Sequence, residues 1–177
     1  INPKLIDVNN FWLPITYRAR VVVYHKERVD PSDLSTYDDL TSSKWKNRLL
    51  VRTSANSYNQ ALMSSIVAHK GEEYALDWSN RIVENFAREP KGNDRDQVRA
   101  ISANVGDIAI VNSYYIGLLM SSEDSLDRMV GESVNVFFPN QGIDQTGAHV
   151  NISGIGLLKT APNLNNAKKL MKYLTSE

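Results

Sequence analysis

Two adjacent tyrosines, Tyr114 and Tyr115, are the residues whose types and spacing could most clearly do chemistry. They follow an apolar run from Gly106 that reads as a buried strand, and the polar pair Asn112-Ser113 separates them from it. Neighbouring side chains point to opposite faces of a strand and diverge by about 100° on a helix. Two adjacent phenols therefore converge on one point only at an irregular junction, which we expect between this strand and a following helix. The alternative is an ordinary pair with one buried and one exposed ring.

A third tyrosine, Tyr58, stands in the polar segment 52–60, where another predicted strand ends and a helix begins. Backbone N–H groups and hydroxyls in such a loop can bind an anion at the helix N-terminus. The positive end of the helix dipole also favours a phenolate there. The alternative is a loop that only caps the helix.

Clustered phenols predict a particular class of metal. Phenolate is a hard, anionic oxygen ligand, and hard, highly charged cations prefer oxygen donors to sulfur or imidazole. The absence of cysteine excludes disulfides, thiolate zinc sites, iron–sulfur clusters and a cysteine nucleophile. The histidines His25, His69 and His149 are not spaced as metal ligands. The sequence therefore points to ferric iron before zinc or copper.

The elements that would position these tyrosines alternate between strand-length apolar runs and helical patterns. The patterns predict strands over residues 19–24, 49–52, 107–111, 134–138 and 150–158, and helices over residues 57–69, 72–86, 94–104, 113–121 and 165–175. Several strands are continuous apolar runs, which predicts a sheet buried on both faces. The expected fold class is α/β, with a mixed or parallel sheet flanked by helices and ligands gathered where strand ends meet helix N-termini.

Composition and charge exclude several classes of protein. The chain has 177 residues, 42% hydrophobic and 23% charged, which is typical of one globular domain or slightly more and argues against disorder. Twenty basic residues balance twenty acidic ones, so the charge typical of a nucleic-acid binder is missing. The longest apolar runs fall far short of the roughly 20 residues that span a bilayer. The sequence starts with Ile1-Asn2-Pro3 and shows no signal peptide, which we interpret as a mature or truncated piece of a longer protein.

Several motifs occur in a recognisable order along the chain. The most specific part is the Asn-x-Tyr-Tyr element of residues 112–115, followed downstream by Asn-Ile-Ser-Gly at residues 151–154. Further motifs lie at Trp12 and at residues 17–24, 45–48, 53–60 and 92–94, so they span nearly the whole chain. Their order resembles that of the periplasmic ferric-iron-binding proteins of ABC importers. Within the family the chain is most similar to the branch that carries a Ser-Tyr-Asn-Gln tyrosine.

This resemblance implies a set of ligands for Fe(III). Tyr114 and Tyr115 match the paired iron-binding tyrosines, and Tyr58 matches the additional tyrosine of that branch. Arg18 matches a basic position that, in some members, sits beside the iron or helps to hold a carbonate-like synergistic anion. Further contacts to such an anion would come from Ser54, Asn56, Asn93 and Asn112.

The resemblance also implies an architecture. Family members are type II periplasmic-binding-protein clamps, in which two α/β lobes are joined by crossing strands and iron lies between them. Residues 1–24 would be a hinge strand and the start of a lobe, residues 25–145 the second lobe, and residues 146–177 the returning hinge strand and a helix of the first-lobe side. The first lobe, which ordinarily adds a further Tyr, a His or an acidic ligand, is missing from the sequence.

The implied function is that of an extracytoplasmic, periplasmic component of an ABC transporter that binds ferric iron through tyrosinates and delivers it to the inner-membrane permease, without catalysing a reaction. Its partners would be ferric iron, that permease and the missing N-terminal lobe. Three alternatives stay open: the same fold binding an oxyanion, thiamine or a polyamine, an effector domain of a transcription regulator, and an enzyme. A polyamine site needs converging carboxylates, a regulator normally carries a basic recognition helix, and an enzyme needs a catalytic motif; we find none of these in the sequence.

Overall fold

The computed structural model describes residues 5–176 and divides into two units. The larger unit is Ala19–His149, and the smaller unit combines the described residues of Ile1–Arg18 and Val150–Glu177. The sequence-based boundaries, after residues 24 and 145, stay a prediction, and the strand expected over residues 19–24 begins earlier, at Trp12. The opening Ile1-Asn2-Pro3, on which the interpretation as a truncated piece depends, lies outside the described residues.

Four strands build the sheet of the larger unit. They are residues 19–25 of β1 Trp12–His25, β2 Leu49–Leu50, β3 Ile108–Asn112 and β4 Val134–Phe137. Their order across the sheet is β2-β3-β1-β4, with β1 antiparallel to β3 and β4 and with β2 parallel to β3. The register pairs Arg20 with Asn112 and Tyr24 with Ile108. The sheet is therefore mixed, as expected.

Both faces of this sheet are buried, which is what the continuous apolar runs predict. Val22 and Ile110 face one cluster of core residues, and Val21 and Val111 face the other. Every residue of β3 is at most 2% exposed. A strand that is covered on both faces has no room for polar side chains unless they are paired, so its chemistry must sit at its ends.

Helices cover the two faces of the sheet. On one face lie α1 Ser57–Lys70, α2 Glu72–Val83 and three short 3-10 helices, Pro31–Asp33, Asp38–Thr41 and Ser43–Trp45. On the other face lie α3 Asp94–Ser102, α4 Tyr114–Met120 and α5 Ser125–Glu132. The helices predicted in these segments are present with ends shifted by a few residues, whereas α5 and the 3-10 helices were not predicted.

The smaller unit contains strand β5 Val150–Gly156, which pairs with β1, and helix α6 Leu164–Thr175. Gly154 is required here by close packing, because a Cβ at this position would lie 2.5 Å from Cε3 of Trp12. In the described part of the chain no helix is long and apolar enough to cross a membrane.

Candidate metal centre

The junction between β3 and α4 brings two adjacent phenol rings together. β3 ends at Asn112, and after the single residue Ser113 the helix begins at Tyr114. The ring centroids of Tyr114 and Tyr115 are 4.2 Å apart, with an angle of 33° between the ring planes. Tyr114 is 39% exposed and Tyr115 is partly buried. The rings therefore converge at the end of a buried strand with one side open to a ligand.

Tyr58 reaches the same point from another element. It stands in the first turn of α1, where the side chain of the N-cap residue Asn56 accepts a hydrogen bond from the Tyr58 backbone N–H at 3.0 Å. The side chains of Tyr115, Tyr58 and Asn112 all lie close enough to the Tyr114 phenol to act on its pKa. Burial raises the pKa of Tyr114, and the Tyr115 phenol raises it further, while Tyr58 and Asn112 act against this.

The other predicted site residues have different surroundings, and two of them cap helices. Ser54 is exposed in the turn before α1, and Asn56 caps that helix. The Asn93 side chain caps α3 by accepting from the Asp96 backbone N–H at 3.2 Å, and the Asp96 carboxylate accepts from the Asn93 backbone N–H at 2.8 Å. Arg18 belongs to the smaller unit, where its Nη1 donates to Ser153 Oγ at 2.8 Å.

The capping contacts of Asn93 lead to a stability prediction. We expect Asn93→Ala to lower the free energy of unfolding by about 1 kcal/mol, because the first turn of α3 then loses its side-chain acceptor. Asn93→Asp is the matched control, since it keeps the capping oxygen and should change little. Urea denaturation of the three proteins measures the difference, and equal midpoints for Asn93→Ala and the parent chain would contradict the capping role.

A buried group of charged residues, formed by Arg20, Asp94 and Arg52, lies beside Tyr58 and was not predicted from the sequence. The Arg20 side chain is 2% exposed and that of Asp94 is fully buried, and Arg20 Nη1 donates to Asp94 Oδ2 at 2.6 Å. Arg52 Nη1 donates to the other oxygen of Asp94 at 3.2 Å. Burial lowers the pKa of Arg20, and the Asp94 charge only partly offsets this. The available signal was a single arginine inside an apolar strand run, which in a buried strand requires a partner.

This group places positive charge beside the ring of Tyr58. The guanidinium carbons of Arg20 and Arg52 lie 5.9 and 5.6 Å from the centroid of that ring. At this range a cation is attracted to the face of an aromatic ring. Two arginines and one aspartate carry one net positive charge, which balances part of the negative charge that three phenolates would bring.

The phenols are the donors that can hold a metal in this region. Within residues 5–176, no three His, Asp or Glu side chains group closely enough to hold a metal ion. Three phenol oxygens from Tyr58, Tyr114 and Tyr115 instead form an all-oxygen donor set. Such a set suits a hard, highly charged cation.

Comparison with known proteins identifies relatives of the whole chain. Residues 2–177 match the family model described as bacterial extracellular solute-binding protein. Iron uptake proteins A1 and A2 of Synechocystis are each 47% identical to it, over 96% and 100% of this chain but only 46% and 51% of their own length. The chain thus spans about half the length of these curated relatives.

Solved structures show the same fold. The iron-free FutA2 of Synechocystis has 46% identity and a TM-score of 0.92, covering 99% of this chain and 56% of that protein. A Trichodesmium FutA protein in complex with iron and citrate has 45% identity and a TM-score of 0.91, covering 97% and 54%. The ferric binding protein of Campylobacter jejuni has 40% identity and a TM-score of 0.90, covering 99% and 55%. These likenesses confirm the expected α/β lobe of the periplasmic-binding-protein type.

Proposed function

The chain belongs to the bacterial extracellular solute-binding protein family, and from that premise we propose that it binds ferric iron as cargo through Tyr58, Tyr114 and Tyr115. The observation that carries the proposal is the meeting of three phenols from two separate elements, with Tyr58 and Tyr115 both close enough to Tyr114 to act on its pKa. The names of the relatives, iron uptake proteins and ferric binding proteins, support the same cargo.

The chemistry of the donor set favours Fe(III) over softer ions. Three phenolates offer three negative charges to a trivalent cation through hard oxygen donors. The sequence has no cysteine, so it offers no thiolate ligand to a softer ion. A synergistic anion, such as carbonate, would complete the coordination with contacts from Ser54, Asn56 and Asn112. The Trichodesmium protein in complex with iron and citrate supports an oxygen-rich anion in this role. Asn93 can contribute only its amide nitrogen, because its oxygen caps α3.

At the level of the whole protein, we assign the chain to the periplasmic binding component of an ABC transporter, which carries iron to an inner-membrane permease and catalyses no reaction. The residues named above would form one half of the iron site, and the remaining ligands would come from the part of the relatives' length that this chain does not span. In this assignment residues 25–145 are the second lobe, and residues 1–24 and 146–177 are the hinge segments with one helix of the first-lobe side.

A titration of the purified chain with ferric citrate tests this proposal. Phenolate bound to Fe(III) gives a visible charge-transfer band, so we expect the band to grow and to saturate at one iron per chain. Titrations with phosphate, thiamine and spermidine, each measured by calorimetry, test the alternative solutes. A folded chain that shows no band, or that binds one of these solutes and not iron, would overturn the proposal.

The pH dependence of binding gives a second, more specific expectation. Each coordinating phenol must lose its proton, and burial already raises the pKa of Tyr114 above its ordinary value of 10.0, so that phenol is protonated in the metal-free protein at neutral pH. Affinity for iron should therefore fall as pH falls, and the phenols should lose about three protons per iron. Citrate and hydroxide take up protons when they leave the iron, so a pH-stat compares the net release of the parent chain with that of a variant that lacks one phenol.

Tyr58→Phe supplies the control for this measurement. It removes one proposed ligand and should lower the proton count by about one. Equal net proton release per bound iron for Tyr58→Phe and the parent chain would contradict coordination by the Tyr58 phenolate.

A further inference from the structure

The three phenols come from elements that no strand pairing holds together. Tyr58 stands at the start of α1, whereas Tyr114 and Tyr115 follow β3. β2 ends at Leu50, so the segment that leads to α1 has left the sheet before Tyr58 is reached. Side chains must therefore fix the distance between Tyr58 and the tyrosine pair.

The guanidinium of Arg20 connects the two elements directly. Its Nη2 donates to Asn59 Oδ1 at 2.6 Å, and Asn59 is the residue after Tyr58. The same Nη2 donates to the carbonyl oxygen of Ile110 at 3.1 Å, and Nη1 donates to Asn112 Oδ1 at 3.3 Å. One planar group thus reaches α1 on one side and the end of β3 on the other, which suits the fixed fork of arginine donors.

Asp94 fixes the orientation of that guanidinium. Its Oδ2 accepts from Arg20 Nη1 at 2.6 Å and from the Asn112 backbone N–H at 2.8 Å. Its Oδ1 accepts from Arg52 Nη1 at 3.2 Å, and the Arg52 carbonyl oxygen accepts from Asn59 Nδ2 at 2.8 Å. The network is closed, because Asp94 contacts the end of β3 directly and reaches Asn59 of α1 through both Arg20 and Arg52.

The backbone of Arg20 is held as firmly as its side chain. Its N–H donates to the carbonyl oxygen of His149 at 2.9 Å, and its carbonyl oxygen accepts from Tyr37 Oη at 2.6 Å. The central strand β1 therefore carries the guanidinium at a fixed place, and α1 and β3 are the elements positioned against it.

We propose that Arg20, oriented by Asp94, is the positioning residue that holds Tyr58 beside the Tyr114–Tyr115 pair before any metal binds. The inference that Arg20 places the phenols depends on the contacts described above. The inference that this placement raises the affinity for iron depends also on the proposed function. Arg20 does not touch the metal in this scheme. Because the three phenols are already held together, less conformational entropy is lost when the ion binds.

The test measures tyrosine proximity in the metal-free protein. Photo-oxidation with a ruthenium complex and persulfate joins neighbouring phenols as dityrosine, and peptide mass spectrometry identifies the segments joined. We expect a link between Tyr58 and Tyr114 or Tyr115 in the parent chain, and its loss in Arg20→Met to the background level of Tyr58→Phe. Arg20→Lys keeps the charge without the fork and should retain only part of the yield.

Arg28→Met is the matched control. Arg28 also pairs with an aspartate, Asp107, but at the opposite end of β3, where no phenol of the site lies. The cross-link and iron affinity should be unchanged in this variant, while Arg20→Met should bind iron about 10–100-fold more weakly and with a less intense charge-transfer band. Asn59→Ala cuts only the connection to α1, so it replaces Arg20→Met if that variant fails to fold.

The outcomes separate this inference from the proposed function. A parent chain without the cross-link, or a folded Arg20→Met or Asn59→Ala variant that keeps the full yield, would overturn the positioning role whatever happens with iron. A parent chain that forms the cross-link, loses it in the variants and binds no iron would support the positioning role and refute the proposed cargo.

Discussion

The double substitution Tyr114→Phe and Tyr115→Phe is expected to abolish the ferric charge-transfer band and to weaken iron binding by more than about 100-fold. Two of the three proposed oxygen donors are lost, and a phenyl ring offers no lone pair to a hard cation. Both rings are kept, so their packing at the end of β3 stays and the chain should fold as the parent does. Titration with ferric citrate measures the band and the affinity together.

A control with equal loss of hydroxyls makes this result specific. Tyr74→Phe with Tyr173→Phe removes one phenol that donates to Asp38 and one that is 76% exposed on α6. Iron binding should be unaffected in this protein. If the first double variant still binds with the parent's affinity and colour, the site lies elsewhere and the proposed ligand set is wrong.

The largest loss of stability is expected from Asp94→Ala. The substitution leaves Arg20, 2% exposed, and Arg52, 17% exposed, without their carboxylate and also removes the acceptor of the Asn112 backbone N–H. Removing one partner of a buried ion pair costs about 3–5 kcal/mol, because the remaining charge stays buried. Since a domain of this size is stable by only about 5–15 kcal/mol, a fall of the urea midpoint by a large fraction is expected.

Asp77→Ala is the control for that experiment. Asp77 also pairs with an arginine, Arg81, but its side chain is 62% exposed, and exposed pairs contribute little. If both variants unfold at the same urea concentration, the buried network does not stabilise the chain. If Asp94→Ala cannot be produced folded, Asp94→Asn, which keeps the shape of the side chain and two acceptor contacts at one oxygen, allows the same comparison.

The sequence could predict the strand that carries the tyrosine pair, because the signals were local. Residues 107–111 form a continuous apolar run, and the polar Asn112 marks its end. Geometry allowed Tyr114 and Tyr115 to meet near a strand-to-helix junction but left open an ordinary pair with one buried and one exposed ring, since adjacent side chains diverge in regular structure. The structure places both tyrosines at the start of α4, one residue after β3 ends.

The sequence could not predict elements whose burial depends on distant residues. Arg20 and Asp94 are 74 positions apart, and neither has a local pattern that reveals the other. Helix α5 has only eight residues, too short a window for a clear periodic signal. It packs through Val130 and through Gly131, where a Cβ would lie 2.9 Å from Met120 Cγ.

The complete burial of β3 has a consequence for how the site opens. We expect backbone amides that are hydrogen-bonded between two neighbouring strands and covered on both faces to exchange with solvent only when the domain unfolds. Tyr58, Tyr114 and Tyr115 instead all stand in the first turn of a helix, where fraying requires much less free energy. Local fluctuations can therefore separate the phenols while β3 stays in place until the fold itself is lost.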